Sequence, residues 1–181
     1  DNSCNLACPS CRISKIFESR GIKFRNRLKL NKKIFDFLKN YAEPINIHIG
    51  SDGDPFASLV YRNFLKNCPV QKNITFTLQT NGLLIKKMYE RNKFIFSNLR
   101  KIGISVDGCT KTVYEKLRRG GKFNILLENL IFLRQLKYKY NFEIYFHCVL
   151  QKENYQQMEQ YIDFSKTHGA DKIYFNRIVD W

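Results

Sequence analysis

Nothing in these 181 residues approaches the roughly 20 consecutive apolar residues that a membrane-spanning helix needs. The longest apolar stretches, Ile125-Leu126-Leu127 and Leu130-Ile131-Phe132-Leu133, are short and interrupted by charge. No basic start leads into an apolar segment, so no signal peptide is visible. Proline (4) and glycine (9) are sparse, and neither internal repeats nor low-complexity stretches occur. Acidic residues are the scarce charge: 16 against 31 Lys and Arg, a net charge of +15. Such an excess suits nucleic acid, an anionic surface or an acidic substrate. The densest basic segment, Arg12 to Lys33, opposes nine Lys/Arg with Glu18 alone, yet lacks the regularly spaced aromatics of a base-stacking platform. Lys, Asn, Ile, Phe and Tyr are all abundant, so compositional drift accounts for the charge, and neither a nucleic-acid nor a membrane partner is expected. What is present, 44% apolar and 26% charged residues, describes one globular domain with one core.

Six cysteines are too few and too unevenly placed for a secreted disulfide framework. Cys4, Cys8 and Cys11 crowd into eight residues, whereas Cys68, Cys109 and Cys148 are scattered. This asymmetry reads as one metal site plus three buried or incidental thiols. The C-x3-C-x2-C spacing suits three corners of an iron–sulfur cubane whose fourth iron stays open, since closed electron-transfer clusters use four Cys. An open metal position is a place for a ligand. Zinc completed by a fourth Cys or a His is the other possibility at this point.

The rest of the chain alternates between β and α periods. Strands are predicted at 45–49, 74–78, 101–106, 143–150 and 172–175 from alternating β-branched and aromatic residues. Helices are predicted at 28–41, 56–67, 83–98, 123–140 and 155–168, the last stopped by Gly169. Strands separated by helices of this length need crossovers and so form a parallel sheet, wound as a barrel or as a doubly wound sheet. In either, chemistry gathers at the carboxyl ends of the strands. The unusual residues of this sequence sit there.

The opening Asp1-Asn2-Ser3-Cys4-Asn5-Leu6-Ala7-Cys8-Pro9-Ser10-Cys11-Arg12 resembles the cluster loop of the radical S-adenosylmethionine superfamily. The resemblance runs over essentially the whole chain. Gly50-Ser51-Asp52-Gly53-Asp54-Pro55-Phe56 is similar to the Gly-Gly-Glu-Pro motif that holds the methionine amino group. Gln79-Thr80-Asn81-Gly82 and Ser105-Val106-Asp107-Gly108 resemble the next two strand ends, the latter facing the ribose. Tyr114-Glu115-Lys116-Leu117-Arg118-Arg119-Gly120-Gly121 resembles a segment of the branch with SPASM or twitch C-terminal domains. Val149 to Asn154 and Asn176 to Trp181 are similar to that branch's later strand ends.

The resemblance implies a partial (β/α)6 TIM-like barrel, truncated at both ends, with its first strand missing. Residues 1–181 would be one core domain, with the cluster loop at 1–14 and the barrel at 28–181. It implies a 4Fe-4S cluster on Cys4, Cys8 and Cys11. It further implies S-adenosyl-L-methionine held by Gly50, Gly53, Asp54, Pro55, Thr80, Asn81, Ser105, Asp107 and Arg118. Within that frame Gly50 and Gly53 let backbone approach a ligand, and Asp54 offers a carboxylate to an ammonium. Ser105 and Asp107 share one side of their strand, and Arg118 or Arg119 pairs with the cofactor carboxylate. The reduced cluster would supply one electron to cleave the cofactor to a 5′-deoxyadenosyl radical, which abstracts hydrogen from a peptide or small-molecule substrate. A flavodoxin or ferredoxin as electron donor and a cytoplasmic setting follow.

Two positions depart from the family. Ser10 stands where an aromatic residue usually lies beside the adenine, so that contact comes from elsewhere, such as the backbone near Ile178. Asp54 is one methylene shorter than the usual Glu. The alternative reading is a zinc- or cluster-stabilised module that binds an anionic partner through its basic face. Of the remaining candidates, Cys68 reads as buried and Cys109 as a possible neighbour of the pocket. His147 and Cys148 face opposite sides of a strand; His48 reads as core-satisfied and His168 as helix-terminal.

Overall fold

Five parallel strands alternate with helices in the computed structural model, which describes residues 1–50, 52–69 and 71–178. The strands are β1 (Ile45–Ile49), β2 (Ile74–Thr80), β3 (Leu99–Ser105), β4 (Glu143–Leu150) and β5 (Lys172–Arg177). Their spatial order equals their order in sequence, and every pairing is parallel. A doubly wound sheet reverses direction at a switch point. This sheet does not, so the chain winds one way as a partial TIM-like barrel.

The helices are α1 (Ile22–Lys39), α2 (Leu59–Asn67), α3 (Ile85–Ser97), α4 (Lys111–Leu117), α5 (Phe123–Tyr140) and α6 (Met158–Thr167), the last entered through a 3-10 turn at Tyr155–Gln157. α1 starts six residues before the predicted Leu28. Its first turns are mostly exposed, and apolar periodicity marks only turns that bury a face. α2 starts later than predicted because Ser58 caps it, accepting from the Tyr61 N–H at 3.1 Å. α4 is too short for periodicity to reveal; only Tyr114 and Leu117 of it are buried. α6 ends as predicted before Gly169, whose φ is +80°.

The period of two divides the sheet. Ile74, Phe76 and Leu78 of β2, Ile102 and Ile104 of β3, and Ile144, Phe146 and Cys148 of β4 face the helices and are fully buried. Leu126, Leu130 and Leu133 of α5 belong to the same core. Each such apolar side chain contributes about 1.5–3 kcal/mol on burial. The opposite face is polar: His48, Thr77, Gln79, Lys101, Tyr145, His147 and Tyr174 line a hollow of about 150 Å³. Among the described residues β1 pairs only with β2. Beside its free edge an apolar groove of about 550 Å³ runs along α1, lined by Leu30, Ile34, Phe37, Ile45, Ile47 and Phe64 among others. Among the described residues no helix is long and apolar enough to cross a membrane.

Candidate metal and cofactor site

The loop from Asp1 to Arg20 crosses the carboxyl ends of the strands and is tied down at three places. Cys4 N–H donates to the Ile16 carbonyl at 2.8 Å, closing the loop on itself. Asp54 N–H donates to the Ser3 carbonyl at 2.9 Å. Ala7 N–H donates to the Arg119 carbonyl and the Arg119 Nε returns a bond to the Ala7 carbonyl, both at 3.0 Å. Leu6 is buried and anchors the loop in the core. The Cys8–Arg12 turn is local: Cys11 and Arg12 N–H both donate to the Cys8 carbonyl at 2.9 Å.

The structure brings Cys4, Cys8 and Cys11 to one cleft of about 90 Å³. Gly53, Asp54, Thr80, Asn81, Ser105 and Arg118 line it with them, as do Leu6, Arg12, Asp52 and Gln79. Each sulfur meets N–H donors. Leu6 N–H and Asn81 Nδ2 donate to Cys4 Sγ at 3.5 and 3.8 Å. Arg118 Nη1 donates to Cys8 Sγ at 3.9 Å. Arg12 Nε and Nη2 both donate to Cys11 Sγ at 3.3 Å. Burial pushes the Cys4 and Cys8 thiols above their ordinary value, and at Cys8 the Arg118 charge opposes that rise. Donors aimed at sulfur favour thiolate, the form that binds metal. Among the described residues no three His, Cys, Asp or Glu side chains converge closely enough to hold a single metal ion. All the ligands of a zinc lie within about 2.3 Å of one ion. The thiolates of a cubane each bind a different iron and stand further apart. Three cysteine sulfurs lining one cleft are a donor set that fits a thiolate-bound iron–sulfur cluster.

Asp54 is 2% exposed and its carboxylate is fully used. Oδ2 accepts from Thr80 Oγ1 (2.7 Å) and Asn81 N–H (2.9 Å); Oδ1 accepts from Phe56 N–H (3.0 Å) and Ala57 N–H (3.2 Å). A carboxylate has about four acceptor sites. Asp54 therefore locks the end of β2 to the turn before α2, instead of offering a free carboxylate to an ammonium. Burial raises its pKa while these donors oppose the rise. Pro55 is buried in the same turn.

The two glycines also serve chain against chain. A Cβ on Gly53 would stand 2.6 Å from the Ser3 carbonyl oxygen and closer still to that of Asp1. Gly50, at φ +100°, would collide with the Gln79 carbonyl. Both approach backbone closely. Asp52 is exposed at the rim; Ser51 of the same motif lies outside the described residues, as do Val179, Asp180 and Trp181 of the last one.

β3 is paired as far as Ser105, and Val106 N–H still donates to the His147 carbonyl at 2.9 Å. Ser105 lines the cleft and accepts from Gln79 Nε2 at 2.8 Å. Asp107 is 1% exposed, accepting from Val149 N–H at 2.9 Å and pairing with Arg118 Nε at 2.7 Å. Burial opposes the Arg118 charge, but Asp107 and Cys8 hold its pKa above the ordinary value. Arg119 is spent on loop carbonyls. Cys109 turns from the cleft towards Gln157 and Gln160 of the α6 region. Burial pushes the Cys68 and Cys148 thiols up to about 12, which makes them inert. His147 stacks on Tyr174 at 5.0 Å, His48 bonds the Gly50 carbonyl, and His168 bonds the Phe164 carbonyl at the end of α6. Arg12, Asp52 and Gln79 carried no sequence signal beyond their positions: next to the third Cys, within the Gly50–Phe56 turn, and one residue before Thr80.

A three-cysteine loop over the carboxyl ends of a consecutively wound parallel sheet defines a barrel-type α/β cofactor domain. The chain belongs to the Radical SAM superfamily, whose family model matches residues 2–165. This superfamily uses a 4Fe-4S cluster and S-adenosylmethionine. The GTP 3',8-cyclase of Limosilactobacillus fermentum (strain NBRC 3956 / LMG 18251) is 24% identical over 174 residues, covering 93% of this chain and 49% of that protein. The structure of native anSMEcpe with bound AdoMet shares the fold with a TM-score of 0.67 at 22% identity, over 99% of this chain and 50% of that one. Streptococcus suis SuiB bound to S-adenosylmethionine does so with a TM-score of 0.65 at 19% identity, over 99% and 39%. SuiB bound to its precursor peptide SuiA gives a TM-score of 0.62 at 17% identity, over 98% and 38%. The chain spans about half the length of the curated relative it matches.

Proposed function

We propose that this chain is the core of a radical SAM enzyme in which Cys4, Cys8 and Cys11 hold the 4Fe-4S cluster and the adjoining cleft holds S-adenosylmethionine. The observation that carries this reading is the convergence of three thiols, each met by N–H donors, on a cleft at the strand ends. When bound, the cluster and cofactor supply reductive cleavage to a 5′-deoxyadenosyl radical and hydrogen abstraction from a substrate. The chain's own residues position and shield. Asn81 links the Cys4 sulfur to the end of β2, since its Nδ2 also donates to Asn5 Oδ1 at 2.8 Å. Asp54 keeps that end in place. Ser105, Gln79 and the Arg118 guanidinium present polar groups for the cofactor's hydroxyls and carboxylate, with Arg118 aimed by Asp107. Gly50, Gly53, Pro55 and Thr80 shape the wall on which the cofactor rests.

Residues 1–181 form one core domain of the SPASM or twitch branch. The edge of β1 away from β2 lies beside the apolar groove along α1. The substrate is a peptide or a small molecule, the electron donor an external flavodoxin or ferredoxin, and the setting a reducing cytoplasm. The test is anaerobic reconstitution of the intact protein with iron and sulfide, followed by dithionite and S-adenosylmethionine. 5′-Deoxyadenosine formation that requires all three cysteines is expected. A zinc-loaded protein with no iron uptake would overturn the assignment.

A further inference from the structure

Two arginines approach the sulfurs of the loop, and they differ in what surrounds them. Arg12 donates from both Nε and Nη2 to Cys11 Sγ at 3.3 Å. Its remaining contacts are neutral: Nη1 and Nη2 also donate to the carbonyls of Asn2 and Asp52. Among the described residues no carboxylate forms an ion pair with it. Arg118 donates to Cys8 Sγ at 3.9 Å, but its Nε is paired with Asp107 Oδ2 at 2.7 Å. Asp107 is held in turn by Val149 N–H, and its carbonyl accepts from Asn154 Nδ2 at 3.0 Å. The Arg118 side chain is 13% exposed and the Asp107 side chain 1%, so little water screens that charge pair.

We propose that Arg12 and the Arg118–Asp107 pair set the reduction potential of the cluster through its thiolates, Arg12 raising it and Asp107 holding down the contribution of Arg118. This rests on the proposed ligand set. Reduction adds one electron, taken from an external one-electron reductant, and transfers no atom. The added negative charge is shared with the ligand sulfurs, so cations and N–H donors at sulfur stabilise the reduced form. Arg12 acts on the solvent-facing corner, because Cys11 is the exposed thiol of the three. Arg118 acts on a buried one.

The two halves make predictions of opposite sign, which loss of structure would not. Arg12→Gln removes an uncompensated cation and should move the midpoint potential down. Asp107→Asn leaves Arg118 in place and removes its compensation, so the potential should move up. The expected size is about a tenfold change in the ratio of reduced to oxidised cluster at a fixed potential, or about 59 mV for a one-electron couple. The measurement is an electron-paramagnetic-resonance titration of the reconstituted intact protein without S-adenosylmethionine, with Arg12→Lys as a third variant. Lys keeps the charge but loses the fork, and should fall between wild type and Arg12→Gln. A wild-type protein that loads a cluster, with both variants unshifted or shifted in the same direction, would refute the proposal and leave the ligand assignment standing. If Arg12→Gln fails to load, Asp107→Asn decides alone: an upward shift supports the proposal and no shift refutes it. A wild-type protein that loads no iron and sulfide overturns the ligand assignment and this proposal with it.

Discussion

Replacing Gly53 with alanine tests how the cluster loop is seated. The added Cβ would stand 2.6 Å from the Ser3 carbonyl oxygen, closer to that of Asp1, and 3.0 Å from the Asn2 carbonyl carbon. All three are backbone atoms, so no side chain can swing aside. Overpacking of this kind costs about 1–3 kcal/mol. Relief requires the loop to lift, which breaks the 2.9 Å bond from Asp54 N–H to the Ser3 carbonyl and adds about 0.5–1.5 kcal/mol. The sum is about 1.5–4.5 kcal/mol, or a fall in melting temperature of about 3–18 °C for a domain of this size. Cys4 follows Ser3 directly, so iron uptake should fall as well. Gly21→Ala is the control: nothing lies within 4 Å of its Cβ, and its backbone at φ +93°, ψ 176° is essentially reserved for glycine, so the cost is purely conformational, about 1–3 kcal/mol. Thermal denaturation of both variants beside wild type, with iron content after reconstitution, gives the answer. A Gly53→Ala protein that melts within 2 °C of wild type and loads a full complement of iron would refute this account of the loop.

Cys4→Ala, Cys8→Ala and Cys11→Ala should each abolish cluster assembly, because two thiolates rarely retain a cubane; retained cluster absorbance in any of them would remove that residue from the ligand set. Asp54→Ala strips the acceptor from four donors, three of them buried backbone N–H groups. It should cost about 2–5 kcal/mol in denaturant unfolding as well as weaken S-adenosylmethionine binding. Unchanged stability would show that the carboxylate is not the lock described here. Burial, then the charges of Lys101 and His48, hold the His147 imidazole below its ordinary value. The unfolded chain therefore takes up that proton at a higher pH than the folded one. The stability His147 contributes is present above about pH 6.5 and is lost as pH falls through its folded pKa. His147→Gln should flatten the acid-side dependence of the urea midpoint, and an identical slope would count against the assignment.

The strands and α5 were legible because each repeats an apolar or β-branched pattern over the length it buries. The sulfur-bearing loop was legible because its three thiols lie within eight residues. What escaped was long-range. Arg12 reaches Asn2, Cys11 and Asp52, and no local pattern announces such a set. Asp107 pairs with Arg118, eleven residues on, and the strand pattern around Ser105 and Val106 gives no sign of that partner. The acidic residue of the Gly50–Phe56 turn was expected to meet a ligand, yet its four acceptor sites are filled by Thr80, Asn81, Phe56 and Ala57. A sequence shows that a carboxylate is there, not how many donors the fold will bring to it.

The strands pair in the order in which they are made, β1 with β2 and so on to β5, so the sheet can grow as each βα unit leaves the ribosome. The loop that carries Cys4, Cys8 and Cys11 is made before all five strands but cannot be seated then. Its two-way bond between Ala7 and Arg119 spans 112 residues, and its partners at Asp54 and Asn81 also come later. During synthesis the three thiols therefore wait in the open until the fourth helix has emerged. That interval exposes the nascent chain to oxidation, and on the proposed ligand set iron and sulfide delivery follows it.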